Sequence, residues 1–480
     1  MRKALRNYRT AMPKHSPHPM LDRIINWLRK VKNVDRSDEL AAIIRRSGFD
    51  NLSDETAVKL LKKQFESVFQ RLTRVRPNIE QGDGHPPNGN FEGGLTPSRL
   101  LYGEDYPEIN RTVVNFLSLK WLLEGNYEAF TAYQPKPVRL SQGTFDNFRN
   151  MARKILVDGD RILALIVSLI LGDVGKDPDL VKEIARLKKS EMNHDEVLGK
   201  AIQLNLFNQP LEVLPKGLRD DVILGVNVGA KLNIPQLMQG ENVPGSLQSV
   251  LMLQGRSQAF ELKYLEIMFD VSGAGGHVDA RGAIRMIEPV CQSFLLAYPV
   301  LQKVITKQCT VQDAYNQVLQ NRGAILAEKG FRKLLPNNPR DRAFLRLCAM
   351  GRVADEPIAR LFDRAFENLP DQTRQELIDG LNVNGFNDGE AVILYYMPGL
   401  FAEAFRVTRN TPEAKQVEVI QSLMFFMART YNGSKPGVGY GIQIIERDVS
   451  PATEIVRSEG FKKDPTVLNT FYLPQSLMSC

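Results

Sequence analysis

Apolar residues recur along most of this chain at spacings of three and four, the period of helices that bury one face. Leu21, Ile24, Ile25, Leu28 and Val31 form the first such stripe. Ser37 is placed to cap a second helix carrying Leu40, Ile43 and Ile44, which Gly48 ends. Ser53 is placed to cap a third, with Val58, Leu61, Phe65, Val68, Phe69 and Leu72 on its apolar face. From Thr112 onward the pattern predicts helices over 112–124, 141–157, 160–172, 178–189, 193–205, 246–270, 280–299 and 310–328. It continues over 340–350, 355–367, 371–379, 388–407 and 411–431. Only the stretch Tyr440–Ile445 alternates, predicting a short strand. The fold class expected is all-α.

Two breaks divide this pattern. Residues 77–97 hold glycines 82, 84, 89, 93 and 94 and prolines 77, 86, 87 and 97, the composition of a linker or a long loop. Pro336 and Pro339 mark the second break. The expected organisation is a basic helical unit over 1–76, the segment 77–97, a helical core over 98–335 and a helical extension over 336–480.

Charge changes the picture only at one end. Residues 1–50 hold twelve Lys and Arg against five Asp and Glu, a surplus equal to the net charge of +7 for all 480 residues. A solvated basic flank and a surface for phosphate-bearing partners both fit this surplus. Residues 1–21 lack acids, as an organellar presequence would, but Pro13, Pro17 and Pro19 interrupt any helix there. Few aromatics interleave the basic residues, so nucleic acid is not an expected partner. The longest strongly apolar run, Ile162–Leu171, is about half of what a bilayer demands, and no transmembrane segment is expected. The cysteines at 291, 309, 348 and 480 have no C-x-x-C spacing. A reducing, cytoplasmic setting is the default they imply.

Candidate chemistry gathers after that apolar run. Asp173, in Gly172-Asp173-Val174-Gly175-Lys176, is either a carboxylate ligand for a hard cation or part of a helix-terminal turn. His194 and Asp195 follow Asn193, which is placed to cap a helix and set both residues in its first turn. His277 follows Gly273, Gly275 and Gly276, whose missing side chains permit close approach to a helix or a ligand. Histidine is scarce, at 15, 18, 85, 194 and 277 only. Asp173, His194 and His277 would together form a two-imidazole, one-carboxylate ligand set for a divalent ion, with Asp279, Asp270 or Asp195 adding a ligand or a base. P-loop, G-x-S-x-G and H-E-x-x-H patterns are absent, and no nucleotide cofactor motif occurs.

On the motif Gly172-Asp173-Val174-Gly175-Lys176, on His194, and on His277 with Asp279, residues 100–330 resemble the HD superfamily of helical phosphohydrolases. Segments 143–149, 193–198 and 273–279 are also similar to fungal proteins with an HD-like core. The resemblance implies an ion (Fe, Mn, Mg or Zn) held by Asp173, His194 and His277. It implies water activated by Asp279 or Asp195, and Lys176 facing the phosphate of a small substrate. Where that superfamily writes His-Asp, however, this chain writes Gly172-Asp173, and no histidine lies between His85 and His194. Two functions therefore stand side by side: a metal-dependent phosphohydrolase or phosphodiesterase, and a catalytically inactive HD-like helical protein that binds a protein partner.

Overall fold

A computed structural model describes residues 38–75, 87–186, 192–229, 231, 233–386, 388–432 and 444–473. The stripe at 21–31, the presequence-like residues 1–21 and His85 lie outside them. The described chain is all-α but for one pair of short strands. Most buried side chains from Leu40 to Leu468 join in one apolar core, and Val243, Ala391 and Ile393 form a small second cluster. Among the described residues no helix is long and apolar enough to cross a membrane.

Helix α1 (Glu39–Ser47) has Asp38 at its N-cap and stops at Gly48, whose φ of 60° suits a residue without Cβ. In α2 (Asp54–Gln64) the Ser53 side chain accepts the Thr56 amide hydrogen, the cap its position predicts. The expected single stripe from Val58 to Leu72 is instead broken at Phe65, where the backbone leaves helical geometry before α3 (Glu66–Leu72).

Two carboxylates fix these helices to the rest. Asp54 receives Lys120 Nζ and Trp121 Nε1, both at 2.7 Å, from α4 (Pro107–Glu124). Asp177, fully buried, receives Arg71 at 2.9 Å. Helix α5 (Gln142–Ile155) packs beside α4, and α6 (Gly159–Leu171) is buried over most of its length. After α7 (His194–Gln203) and α8 (Lys216–Gly229) comes α9 (Ser257–Gly273), which lies against α4, α6 and α8.

The pattern gave no helix for α8 and departs from the structure at further places. Residues 244–253 form a 3₁₀ segment, so α9 starts only at Ser257. Residues 274–287 turn instead of beginning a helix, and α10 runs Glu288–Ile305, followed by α11 (Val311–Glu328). The apolar run Ala391–Tyr395 is strand β1, and the helix α12 (Met397–Val407) begins after it. Of the alternating stretch Tyr440–Ile445, residues 440–443 lie outside the described residues, and Ile444 and Ile445 open strand β2 (Ile444–Asp448), which pairs parallel to β1 with Ala391 opposite Ile444. Periodicity alone does not separate a short buried strand from a helix segment.

The Gly- and Pro-rich segment is bound to the core where it is described. Asn88 donates its amide to Val278 O at 3.1 Å and accepts from the Ala280 amide at 2.9 Å. Residues beside His277 are thus covered by the strap that follows the N-terminal helices.

Candidate functional site

Three apolar elements each bring polar residues to one place. On α4 the residues are Glu108, Arg111 and Asn115, and on α9 they are Lys263, Glu266 and Asp270. Both sets follow i, i+3, i+7, which keeps them on one helical face. The turn after α6 adds Asp173 and Lys176.

Lys176 Nζ lies 2.5 Å from Asp173 Oδ1 and 2.6 Å from Glu108 Oε1. Arg111 Nη1 reaches Glu108 at 3.2 Å, and its charge also acts on Asp173 and Asp270. Lys263 pairs with Glu266 at 2.8 Å, and Asn115 Nδ2 donates to Asp270 at 3.4 Å. Asp195, in the first turn of α7, adds its negative field to Lys263 and Glu266.

Burial and charge push neighbouring carboxyls apart. Desolvation and the Asp173 charge raise Glu108 above the usual range. The Lys176 and Arg111 cations hold Asp173 low despite its burial. Glu108 and Asp173 titrate as a coupled pair, each shifting the other's affinity for a proton. Burial likewise pushes Glu266 up to about 7. Acids forced in opposite directions within one cluster mark a candidate functional site, and buried structural networks produce the same effect.

The remaining expected ligands stand otherwise. Asn193 caps α7 with a reciprocal Glu196 contact, which sets His194 and Asp195 in the first turn as anticipated. His194 is exposed there, with its ring 3.8 Å from Asp195. His277 is half-buried, and burial together with Arg111 and Arg285 lowers its affinity for a proton. Asp279 is held by Arg281 through contacts of 2.9 and 2.6 Å and also accepts the Arg281 amide, so it fixes its own turn. Arg281 in turn stacks 3.3 Å over the Tyr133 ring.

The glycines before His277 serve packing. A Cβ on Gly273 would sit 1.8 Å from Asn115 Oδ1 and 2.6 Å from Arg111 O. The run brings α9 against α4. Gly172, in the place where the HD pattern has histidine, is helical, and its Cβ direction faces Glu266 Oε1 at 3.8 Å.

A family model described as a family of unknown function, DUF6829, matches residues 58–468. The chain belongs to the DUF6829 family. No curated protein and no solved structure matches it. In this DUF6829 chain the match runs through the strap, the charged cluster and the strand pair alike.

A divalent ion needs several donors free of other cations. Asp173 is occupied by Lys176, and Asp279 by Arg281. Among the described residues no three His, Cys, Asp or Glu side chains are grouped to hold a metal. The donor set of this DUF6829 member therefore does not suit such an ion while Lys176 stays in place. Sequence inspection proposed Asp173 and Lys176 but passed over Glu108, Arg111, Lys263 and Glu266. The available signal was polar residues at i, i+3, i+7 within two otherwise apolar helices.

Proposed function

We propose that this chain is a helical binding protein built on an HD-like frame, in which a fixed internal cation replaces a metal ion. The observation that carries this reading is the Lys176 ammonium seated between Asp173 and Glu108. A protein cation there supplies positive charge permanently. It has no vacant coordination position at which to bind and activate water, unlike a catalytic metal. Arg111 adds a second positive charge, and protonation of Glu108 relieves the surplus of acids. Under this reading the helices act as a scaffold for a protein partner, and the cluster serves to lock α4, α9 and the turn after α6.

Elemental analysis of the purified chain, after equilibration with Mn, Fe, Mg or Zn and desalting, tests it. We expect far less than one ion per chain, with no change on His194→Ala or His277→Ala. Near-stoichiometric metal that either substitution removes overturns the reading and restores the metal-dependent phosphohydrolase, with Asp173, His194 and His277 as its ligands.

A further inference from the structure

A second feature lies away from the charged cluster, in a cleft between α10 and α11 closed by Met238, Val353 and Ala354. Its enclosed volume is about 80 Å³, and the rest of the cleft opens to solvent. Leu296, Val318, Ile325 and Leu326 make its walls largely apolar, and no acidic side chain lines it.

Arg322 enters this cleft from α11. Its Nη1 donates to Met238 O at 2.9 Å and reaches Ser293 Oγ at 3.4 Å. Ser293 Oγ itself donates to Pro289 O, so Arg322 finds an acceptor there and no negative charge. Among the described residues nothing accepts from Arg322 Nε or Nη2, and no carboxylate pairs with it. Burial pushes its pKa below the ordinary arginine value, with only the distant Cys348 thiol acting the other way. Arg322 is only partly buried, and its guanidinium fork matches a carboxylate with two parallel hydrogen bonds. Lys329, at the same rim, is tied to Ala354 O and adds a second positive charge at the mouth.

We propose that this cleft binds a small amphipathic carboxylate, its head on Arg322 Nε and Nη2 and its aliphatic body along Leu296, Val318 and Ile325. The inference is independent of the reading of the charged cluster. The cleft is lined by Met238 and by the α10 and α11 side chains, none of which belongs to that cluster. Decanoate and octanoate, which pair a carboxylate with a straight apolar body, are suitable probes of this open cleft.

Isothermal titration calorimetry on the full chain with decanoate, octanoate and 1-decanol tests it. We expect one decanoate per chain, bound at least tenfold more tightly than decanol. Octanoate should be weaker by roughly fourfold for each methylene lost. Arg322→Met should lose the tenfold preference for decanoate while leaving decanol within about twofold. Leu296→Glu, a substitution at the partly exposed rim, should weaken decanoate by charge repulsion without relying on Arg322. Decanoate binding no tighter than decanol overturns the proposal. So does decanoate binding unchanged in both variants, or many equivalents bound per chain.

Discussion

The Lys176 ammonium lies 2.5 Å from Asp173 and 2.6 Å from Glu108, so one cation joins the turn after α6 to the first turn of α4. Glu108 is fully buried and the Lys176 side chain is 27% exposed. Water therefore screens the contact only in part.

Removing that cation leaves two acids facing each other. Lys176→Met should destabilise the chain by about 3 to 5 kcal/mol, the usual cost of breaking a buried pair on one side. The double variant Lys176→Met with Glu108→Gln should recover a large part of the loss, since it also removes the stranded acid. Urea unfolding of both variants measures the difference. With Glu108→Gln alone measured as well, losses in the two single variants that simply add up to that of the double would show that the contact carries no coupling energy.

Two glycines should respond in opposite directions. Gly172 is helical and its Cβ would meet its neighbours at 3.6 Å or more, so Gly172→Ala should stabilise by about 0.5 to 1 kcal/mol. A Cβ on Gly273 would strike the Arg111 carbonyl and Asn115, and α4 and α9 would have to separate. Gly273→Ala should cost about 2 kcal/mol or more, as overpacking does. Thermal melts of the pair decide this, and similar melting points would refute it.

Glu241 supplies a pH test away from the cluster. It is 5% exposed and accepts the Tyr396 amide at 2.7 Å, and burial pushes its pKa up to about 7. A carboxyl raised on folding binds more protons in the folded state. Its stabilising contribution is therefore present at low pH and lost as pH rises through about 7. Glu241→Gln keeps an acceptor for Tyr396 but cannot ionise. Its stability relative to the parent chain should improve by about 3 kcal/mol between pH 4.5 and pH 8. A pH-independent difference in urea midpoints would rule this out.

Asp279 provides a check on the turn that carries His277. Its carboxylate takes the Arg281 fork and the Arg281 amide. Asp279→Asn should lose about 1 to 3 kcal/mol, as expected for charged hydrogen bonds in a part-buried setting. Arg281→Ala should lose a similar amount, because stacking on Tyr133 goes with it. Loss of the same order in both, measured by denaturation, is the expected result.

Much of the helical frame was legible because apolar stripes and caps act locally. Ser53 and Asn193 cap where their positions say they should. The breaks at Phe65 and before Ser257 were not legible, since tertiary packing there overrides a continuing apolar stripe. Strand β1 looked helical because its partner lies about fifty residues later, beyond any local window. Of the site, Asp173 and Lys176 stood out by motif. Glu108 and Glu266 were hidden because an acid on a helix reads as a surface position until a second helix closes over it. The glycines before His277 permit two kinds of close approach, and only the position of α4 selects between them.

The parallel pairing of β1 with β2 has a consequence for how the chain is made. Val392, Ile393 and Leu394 are buried, yet their backbone partners come from residues synthesised about fifty positions later. A ribosome that stalls or a stop codon that falls before Ile444 would release a product whose β1 edge has lost its mate. Bare apolar edges of that kind recruit other chains, so products ending between β1 and β2 should accumulate as insoluble material.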